Sequence, residues 1–238
     1  MAKYTVYFHA ITKSRRMMNK LSVIEDGEGQ EFHEEEQIAA TISNYFQNIF
    51  TSSNNTDLQV VNEVLLPVIS THCNEDLIKL PSLQEIKEAL FSISADKAPR
   101  PDGFLAAFYQ AYGDIIGEDI SRDIRSFFED NGLSTRVNET HVTLIPKISA
   151  PRKVADYKPI ALCNVQYKIV AKILTRRLQP WLADLISSHQ SAFVPGRPIV
   201  DNMLITHEIL QFLRISGAKK HCSMAIKTDM SKAYDRIE

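Results

Sequence analysis

The run Ala225-Ile226-Lys227-Thr228-Asp229-Met230-Ser231-Lys232-Ala233-Tyr234-Asp235 puts a carboxylate, Asp229, at the end of an apolar stretch and ahead of a helix-forming one. Residues 223–229 read as a strand. A strand-end carboxylate is well placed to hold a divalent cation at the rim of a sheet. Hard cations such as Mg2+ take few protein oxygens and complete their shell with water and phosphate. Asp is also a favoured N-cap, so Asp229 taken alone reads more readily as the cap of the helix predicted over 231–238 than as a metal ligand.

Charge is segregated along the chain in a way that suits a polyanion. Residues 136–220 hold 13 Lys/Arg against 5 Asp/Glu, a balance of +8, while the remainder stands at −10. A basic middle within an overall net charge of −2 fits a nucleic-acid footprint. It fits a solvated basic face as well.

The chain of 238 residues is 44% hydrophobic and 24% charged, the profile of an ordinary globular protein with enough length for one large core or two smaller lobes. No apolar run approaches the roughly 18 residues that span a bilayer. The N-terminus lacks the apolar core and cleavage site of a signal peptide, which argues against secretion. Cys73, Cys163 and Cys222 are odd in number and far apart. Buried thiols in a reducing compartment are their simplest reading.

The elements that must position Asp229 and the basic middle follow from hydrophobic period. Ile38, Ile42, Tyr45, Phe46, Ile49 and Phe50 recur at helical spacing over 34–50. The polar stretch 51–57 is the candidate boundary, giving a helical linker region at 1–57 and a second part at 58–238. Ser82-Leu83-Gln84-Glu85 is a capping-box pattern opening a helix. Pro99-Arg100-Pro101-Asp102-Gly103 forces a turn, and helices are predicted over 104–112 and 118–131. Residues 140–145 read as a strand and 159–162 as its return, a hairpin with the basic loop 147–158. A long helix follows from Asn164 towards Leu185, kinked or restarted at Pro180. Lys168, Lys172 and Arg176 share one of its faces, a basic stripe that could track a nucleic-acid backbone or simply be a solvated face. A short strand at 192–194, a turn at 195–198 and a helix near 199–213 complete the pass. The fold class is helix-rich α+β.

Read together, several segments resemble the reverse transcriptases of plant LINE-type (non-LTR) retrotransposons. Asp229-Met230-Ser231-Lys232-Ala233-Tyr234-Asp235 is similar to the family's first carboxylate motif. Asp156-Tyr157-Lys158-Pro159-Ile160-Ala161-Leu162-Cys163-Asn164-Val165, with Tyr167–Leu174, resembles its fingers strand and following helix. Gln190-Ser191-Ala192-Phe193-Val194-Pro195-Gly196-Arg197 with Asp201-Asn202 matches a further block. So do Lys97-Ala98-Pro99, Pro101-Asp102-Gly103-Phe104, Phe108-Tyr109-Gln110 and Leu144-Ile145-Pro146-Lys147. Phe8-His9-Ala10 and the stretch from Tyr45 to Ser53 resemble the segment joining endonuclease to polymerase. The likeness runs through nearly the whole chain, in the family's order.

The resemblance implies right-hand polymerase fingers with an incomplete palm, acting in the nucleus on an RNA template, a DNA primer and deoxynucleoside triphosphates, with no membrane partner. It makes Asp229 the first catalytic carboxylate and a ligand of Mg2+, with the Met230 backbone carbonyl as a neighbouring ligand. Tyr234 would be the steric gate against a 2′-hydroxyl; as a residue it could also be a core aromatic. Lys147 and Lys158 would hold the triphosphate and Arg197 would contact template or incoming nucleotide; exposed surface charge is the usual fate of such cations. Two-metal phosphoryl transfer needs at least two anchoring carboxylates, and the sequence contains no Asp-Asp pair. The expectation is therefore a polymerase fragment inactive alone, set against a non-catalytic RNA-binding fingers module or a retroelement relic. Three positions depart from the family: Arg100 stands for Gly, Gly113 for Trp, and Lys158 for Arg.

Overall fold

Serine caps and apolar stripes decide most of the architecture. The computed structural model describes residues 2–51, 69–96, 102–130, 132–215 and 224–229. The described residues form a helix-rich α+β arrangement whose strands pair in twos. They divide into two compact units. One holds residues 2–51 and 140–162; the other holds those between 69 and 139 and from 163 to 229.

The first unit begins with α1 (Ala2–Met18), which the sequence reading had not marked as a helix. Strands β1 (Ile24–Glu25) and β2 (Glu31–Phe32) then pair antiparallel, Ile24 opposite Phe32. Asp26 builds the turn between them: its Oδ1 accepts from the N–H groups of Glu28 and Gln30, both at 2.9 Å. Gly29 takes φ +89 there. Helix α2 (Glu35–Phe50) agrees with the period read over 34–50. The other part of this unit, residues 140–162, comes from far along the chain, after the helices of the second unit have begun. Its core joins Ile24, Ile38, Val154 and Tyr157, flanked by Ile42, Phe46 and Leu144.

In the second unit, α3 (Thr71–Ile78) is capped by Ser70, whose Oγ accepts from Cys73 N–H at 3.2 Å. Helix α4 (Leu83–Phe91) is capped by Ser82, whose Oγ accepts from Glu85 N–H at 3.1 Å, as the capping-box pattern predicts. Asp102 and Gly103 hold the turn before α5 (Ala106–Ala111). Asp102 accepts from Phe104 N–H at 3.0 Å and from the Tyr109 hydroxyl at 3.2 Å, and Gly103 sits at φ +76. Residues 97–101, Arg100 among them, lie outside the described residues.

Helix α6 (Gly113–Asp130) starts five residues earlier than the sequence reading placed it. Buried Ile120 and Ile124 and half-buried Ile116, Phe127 and Phe128 anchor the helix, and that packing outweighs the cost of two glycines, Gly113 and Gly117. Neither glycine position has any atom within 4 Å of where a Cβ would lie. Helix α7 (Thr135–Asn138) follows, capped by Ser134.

Strands β3 (Thr140–Pro146) and β4 (Tyr157–Cys163) pair as expected and lie at the first unit. Helix α8 (Val165–Leu178) then buries Val165, Ile169, Val170 and Ile173 against α4 and α6. It stops where Pro180 was expected to break it, passing through a 3-10 turn (Gln179–Trp181) into α9 (Leu182–Leu185). At its start Asn164 is buried, and its Nδ2 donates to the carbonyls of Arg136 and Val137 at 3.0 and 3.3 Å, tying α7 to α8. Helix α10 (Ile199–Ile215) completes the described secondary structure.

Two expected strands do not form among the described residues. Residues 192–194 form a turn, with Phe193 at φ 63 and 98% exposed. Residues 224–229 are exposed and unassigned to any strand. An apolar alternating run becomes a strand only where a neighbour takes up its N–H and C=O groups, and among the described residues nothing pairs with either segment. Cys73 and Cys163 are free thiols, Cys73 buried; Cys222 is outside the described residues. No helix among the described residues is long and apolar enough to cross a membrane.

Arg177, near the end of α8, is the polar centre of the second unit. Its Nε and Nη2 donate to the two Glu85 oxygens at 2.7 and 2.8 Å, and Nη1 donates to the carbonyls of Leu77, at 3.1 Å, and Lys79. Its guanidinium carbon lies 5.2 Å from the Phe128 ring centroid. That guanidinium holds the Glu85 carboxyl below its ordinary value of about 4.5, with the Ser82 N–H adding to the effect.

Substitutions at these positions are expected to separate the contributions. Gly117→Ala should raise stability by about 1 kcal/mol, since the helix gains propensity and meets no clash. Gly103→Ala should lower it by about 1–2 kcal/mol, because the left-handed conformation is strained for an L side chain. Arg177→Met should cost about 2 kcal/mol or more by leaving Glu85 and two carbonyls unpaired. Because the folded-state pKa of Glu85 is depressed, its contribution is present above the unfolded value and lost as pH falls through the folded one. Urea midpoints at pH 7 and pH 3 check all three, and the difference between the two pH values should shrink in Arg177→Met.

Candidate nucleotide and nucleic-acid site

The hairpin of the first unit presents two of the expected cations. Lys147 follows β3 directly; its N–H donates to the Asp156 carbonyl at 2.8 Å and its Nζ donates to the Ala155 carbonyl at 3.0 Å. The loop returns in an Asp-capped turn. Asp156 Oδ2 accepts from the N–H groups of Lys153 and Arg152 at 2.9 and 3.1 Å, and these bonds hold its carboxyl below the usual range. Lys158 lies on β4 with its side chain exposed.

Two other cations of the same loop are engaged by the acidic hairpin near the N-terminus. Lys153 Nζ lies 3.1 Å from Glu25, and Arg152 pairs with Glu31. Glu25 N–H also donates to the Arg152 carbonyl at 2.7 Å. The stretch 25–36 is acidic and the loop 147–158 is basic. Their opposite charge was the available signal, but nothing in the sequence pairs residues 121 apart.

In the second unit, Arg197 is turned inward on its own loop. Its Nη1 donates to the carbonyls of Ser187 and Gln190 at 2.7 and 2.9 Å, and its Nη2 to Ala183 at 2.9 Å; both reach Ile186 at 3.3 Å. A guanidinium placed this way fills the carbonyls left open at the end of α9. Arg197 thus sets the path from α9 to α10, with Gly196 beside it at φ +76. Asn202 assists from α10, its Nδ2 donating to Ser191 Oγ at 2.7 Å.

Asp229 is exposed at the end of an exposed segment, Ile226 being 76% accessible. Met230 and Tyr234 lie outside the described residues. Among the described residues no group of three or more His, Cys, Asp or Glu side chains could hold a metal ion. One exposed carboxylate does not make a Mg2+ site, so the described residues do not fit the two-metal centre that the resemblance implies.

Residues 145–238 match the reverse transcriptase (RNA-dependent DNA polymerase) family. The reverse transcriptase match therefore takes in Lys147, Lys158, Arg197, Asp229, Met230 and Tyr234 together. The chain is also similar to the Transposon TX1 uncharacterized 149 kDa protein of Xenopus laevis, 30% identical over 235 residues. That similarity covers 98% of this chain but only 18% of the relative, so the chain spans less than a fifth of that transposon protein.

Loss of the inward-facing guanidinium should be local. Arg197→Ala is expected to speed amide hydrogen exchange over 183–197 while leaving exchange in α4 and α6 unchanged. Arg197→Lys should rescue little, because an ammonium lacks the planar fork that reaches four carbonyls.

Proposed function

We propose that this chain comprises the fingers and first palm segment of an RNA-directed DNA polymerase from a plant non-LTR retrotransposon of the LINE type. The observation that carries the reading is the reverse transcriptase match over 145–238, joined to transposon-protein similarity along nearly the whole chain. Residues 1–57 serve as the region leading into the polymerase part at 58–238. The core formed by Ile24, Ile38, Val154 and Tyr157 makes that leading region a structural support of the fingers hairpin.

In this reading Asp229 is the first catalytic carboxylate and, with the Met230 carbonyl, a Mg2+ ligand whose partner carboxylates come from elsewhere in the polypeptide. Tyr234 excludes a 2′-hydroxyl from the nucleotide pocket. Lys147 and Lys158 hold the triphosphate, with Lys158 acting as a point charge where the family's Arg would be bidentate. Arg197 acts on template or nucleotide through the loop it organises. The partners are an RNA template, a DNA primer and deoxynucleoside triphosphates, and the place of action is the nucleus. With no Asp-Asp pair in its sequence, this segment alone is inactive.

A second reading keeps RNA binding without catalysis, favoured by the +8 balance of residues 136–220. Primer extension on an RNA template by the longer polypeptide separates the two. Under the first, extension requires Mg2+ and Asp229→Asn lowers its rate by about 100-fold or more. A rate unchanged in Asp229→Asn would remove Asp229 from the chemistry. Absence of extension beside intact RNA binding would leave the second reading.

A further inference from the structure

Helix α4 ends at Phe91, and the residues after it fold back along one face of α8. Between them lies an open groove of about 500 Å3, lined by Phe91, Ser92, Ser94, Lys168, Lys172 and Thr175 over Ile93 and Ala171. Every lining residue belongs to the second unit. Lys168 and Lys172 are one helical turn apart on α8, about 6 Å of axial rise, a spacing comparable to that of successive phosphates in an extended strand. Glu88, on α4, lies 3.9 Å from Arg176 of the same α8 face.

The remaining walls suit the other parts of a nucleotide. Phe91 is 54% exposed although it closes an otherwise well-packed helix, leaving an aromatic surface at the groove. Base stacking on such a ring is tolerant of sequence. The hydroxyl hydrogens of Ser92 and Thr175 are committed to the carbonyls of Ala89 and Ala171, at 2.7 and 2.6 Å. Their oxygens are thus left as acceptors, the polarity that receives a ribose 2′-hydroxyl. Cations for phosphate, a ring for a base and acceptors for the sugar converge in one groove.

We propose that this groove binds the backbone of single-stranded RNA, apart from the hairpin cations and Asp229. The inference rests on the polymerase reading for its ligand class, and it names a surface which that reading does not need. The test is fluorescence anisotropy of the 238-residue chain with an end-labelled single-stranded RNA, and with DNA of the same sequence, over a salt series. The double variant Lys168→Gln/Lys172→Gln should raise the RNA Kd about tenfold, and the log–log salt slope should become shallower by about 1.4, two single-strand phosphate contacts' worth. Phe91→Ala should weaken binding about tenfold with the slope unchanged, and Phe91→Tyr should restore it. Circular dichroism melting confirms that each variant is folded. RNA should bind more tightly than DNA; equal binding overturns the assignment of the hydroxyl oxygens.

Unchanged affinity and slope in the folded double variant would overturn the groove. So would failure of the wild-type chain to bind RNA at all. Neither result touches the polymerase reading, which primer extension by the longer polypeptide decides independently.

Discussion

A guanidinium only 10% exposed, such as that of Arg177, is tolerable in a helical core only if its donors are filled. Removing it from water costs several kcal/mol, and the second unit meets that cost with a bidentate carboxylate, two helix-end carbonyls and an aromatic face. Those acceptors come from the end of α3, the first turn of α4 and the last turns of α6. The side chain itself belongs to α8. Apolar packing of Ile86, Ile124 and Ile169 drives these helices together but tolerates sliding; the planar fork of Arg177 does not. The register of α8 against α4 is therefore fixed at this point, and the face carrying Lys168 and Lys172 is fixed with it.

The first unit relies on charge differently. Arg152 with Glu31 is largely exposed and Lys153 with Glu25 partly so, and exposed pairs contribute little stability each. Their effect is on the distribution of charge around the hairpin. Two of its cations face acidic partners on the β1–β2 ribbon, while Lys147 is bound to a carbonyl of its own loop and Lys158 is exposed on β4. The acidic N-terminal stretch is thus selective: it offsets the loop positions nearest the ribbon and leaves β4's lysine facing solvent. An overall charge of −2 hides this arrangement entirely.

What the sequence made legible follows from how local each signal is. The stripes of α2, α4 and α8, the Ser82 cap and the stop at Pro180 depend on residues within a turn or two of each other, and each agrees with the structure. The hairpin of β3 and β4 was legible for the same reason. Helix α1 was missed because its apolar residues form no clear stripe. The start of α6 was missed because packing overrode two glycines. The strand readings failed at 192–194 and over 224–229, the described residues of the second, for a different reason: apolar composition suggests a strand, whereas pairing supplies its stability. Arg197 shows the limit for site residues. Its place in a motif drew attention to its charge, yet which carbonyls it meets depends on where α9 ends, and no spacing rule specifies that.

The part of the described chain that carries Asp229 is loosely packed. Helix α10 leaves Ile199, Leu204, Ile209 and Phe212 about half or more exposed, and Ile226 beside Asp229 is more exposed still. An isolated helix of that length is marginal in water, so most of its stability must come from surfaces that cover its apolar side. The same requirement applies to the carboxylate. Metal-directed phosphoryl transfer needs ligands held to about half an ångström, a tolerance reached by sheet pairing and packed side chains, not by an exposed segment of six residues. Under the proposed polymerase reading, covering α10 and pairing residues 224–229 are one event. The contacts that bury Ile226 would also aim Asp229, so catalytic geometry and the completion of this core would arise together.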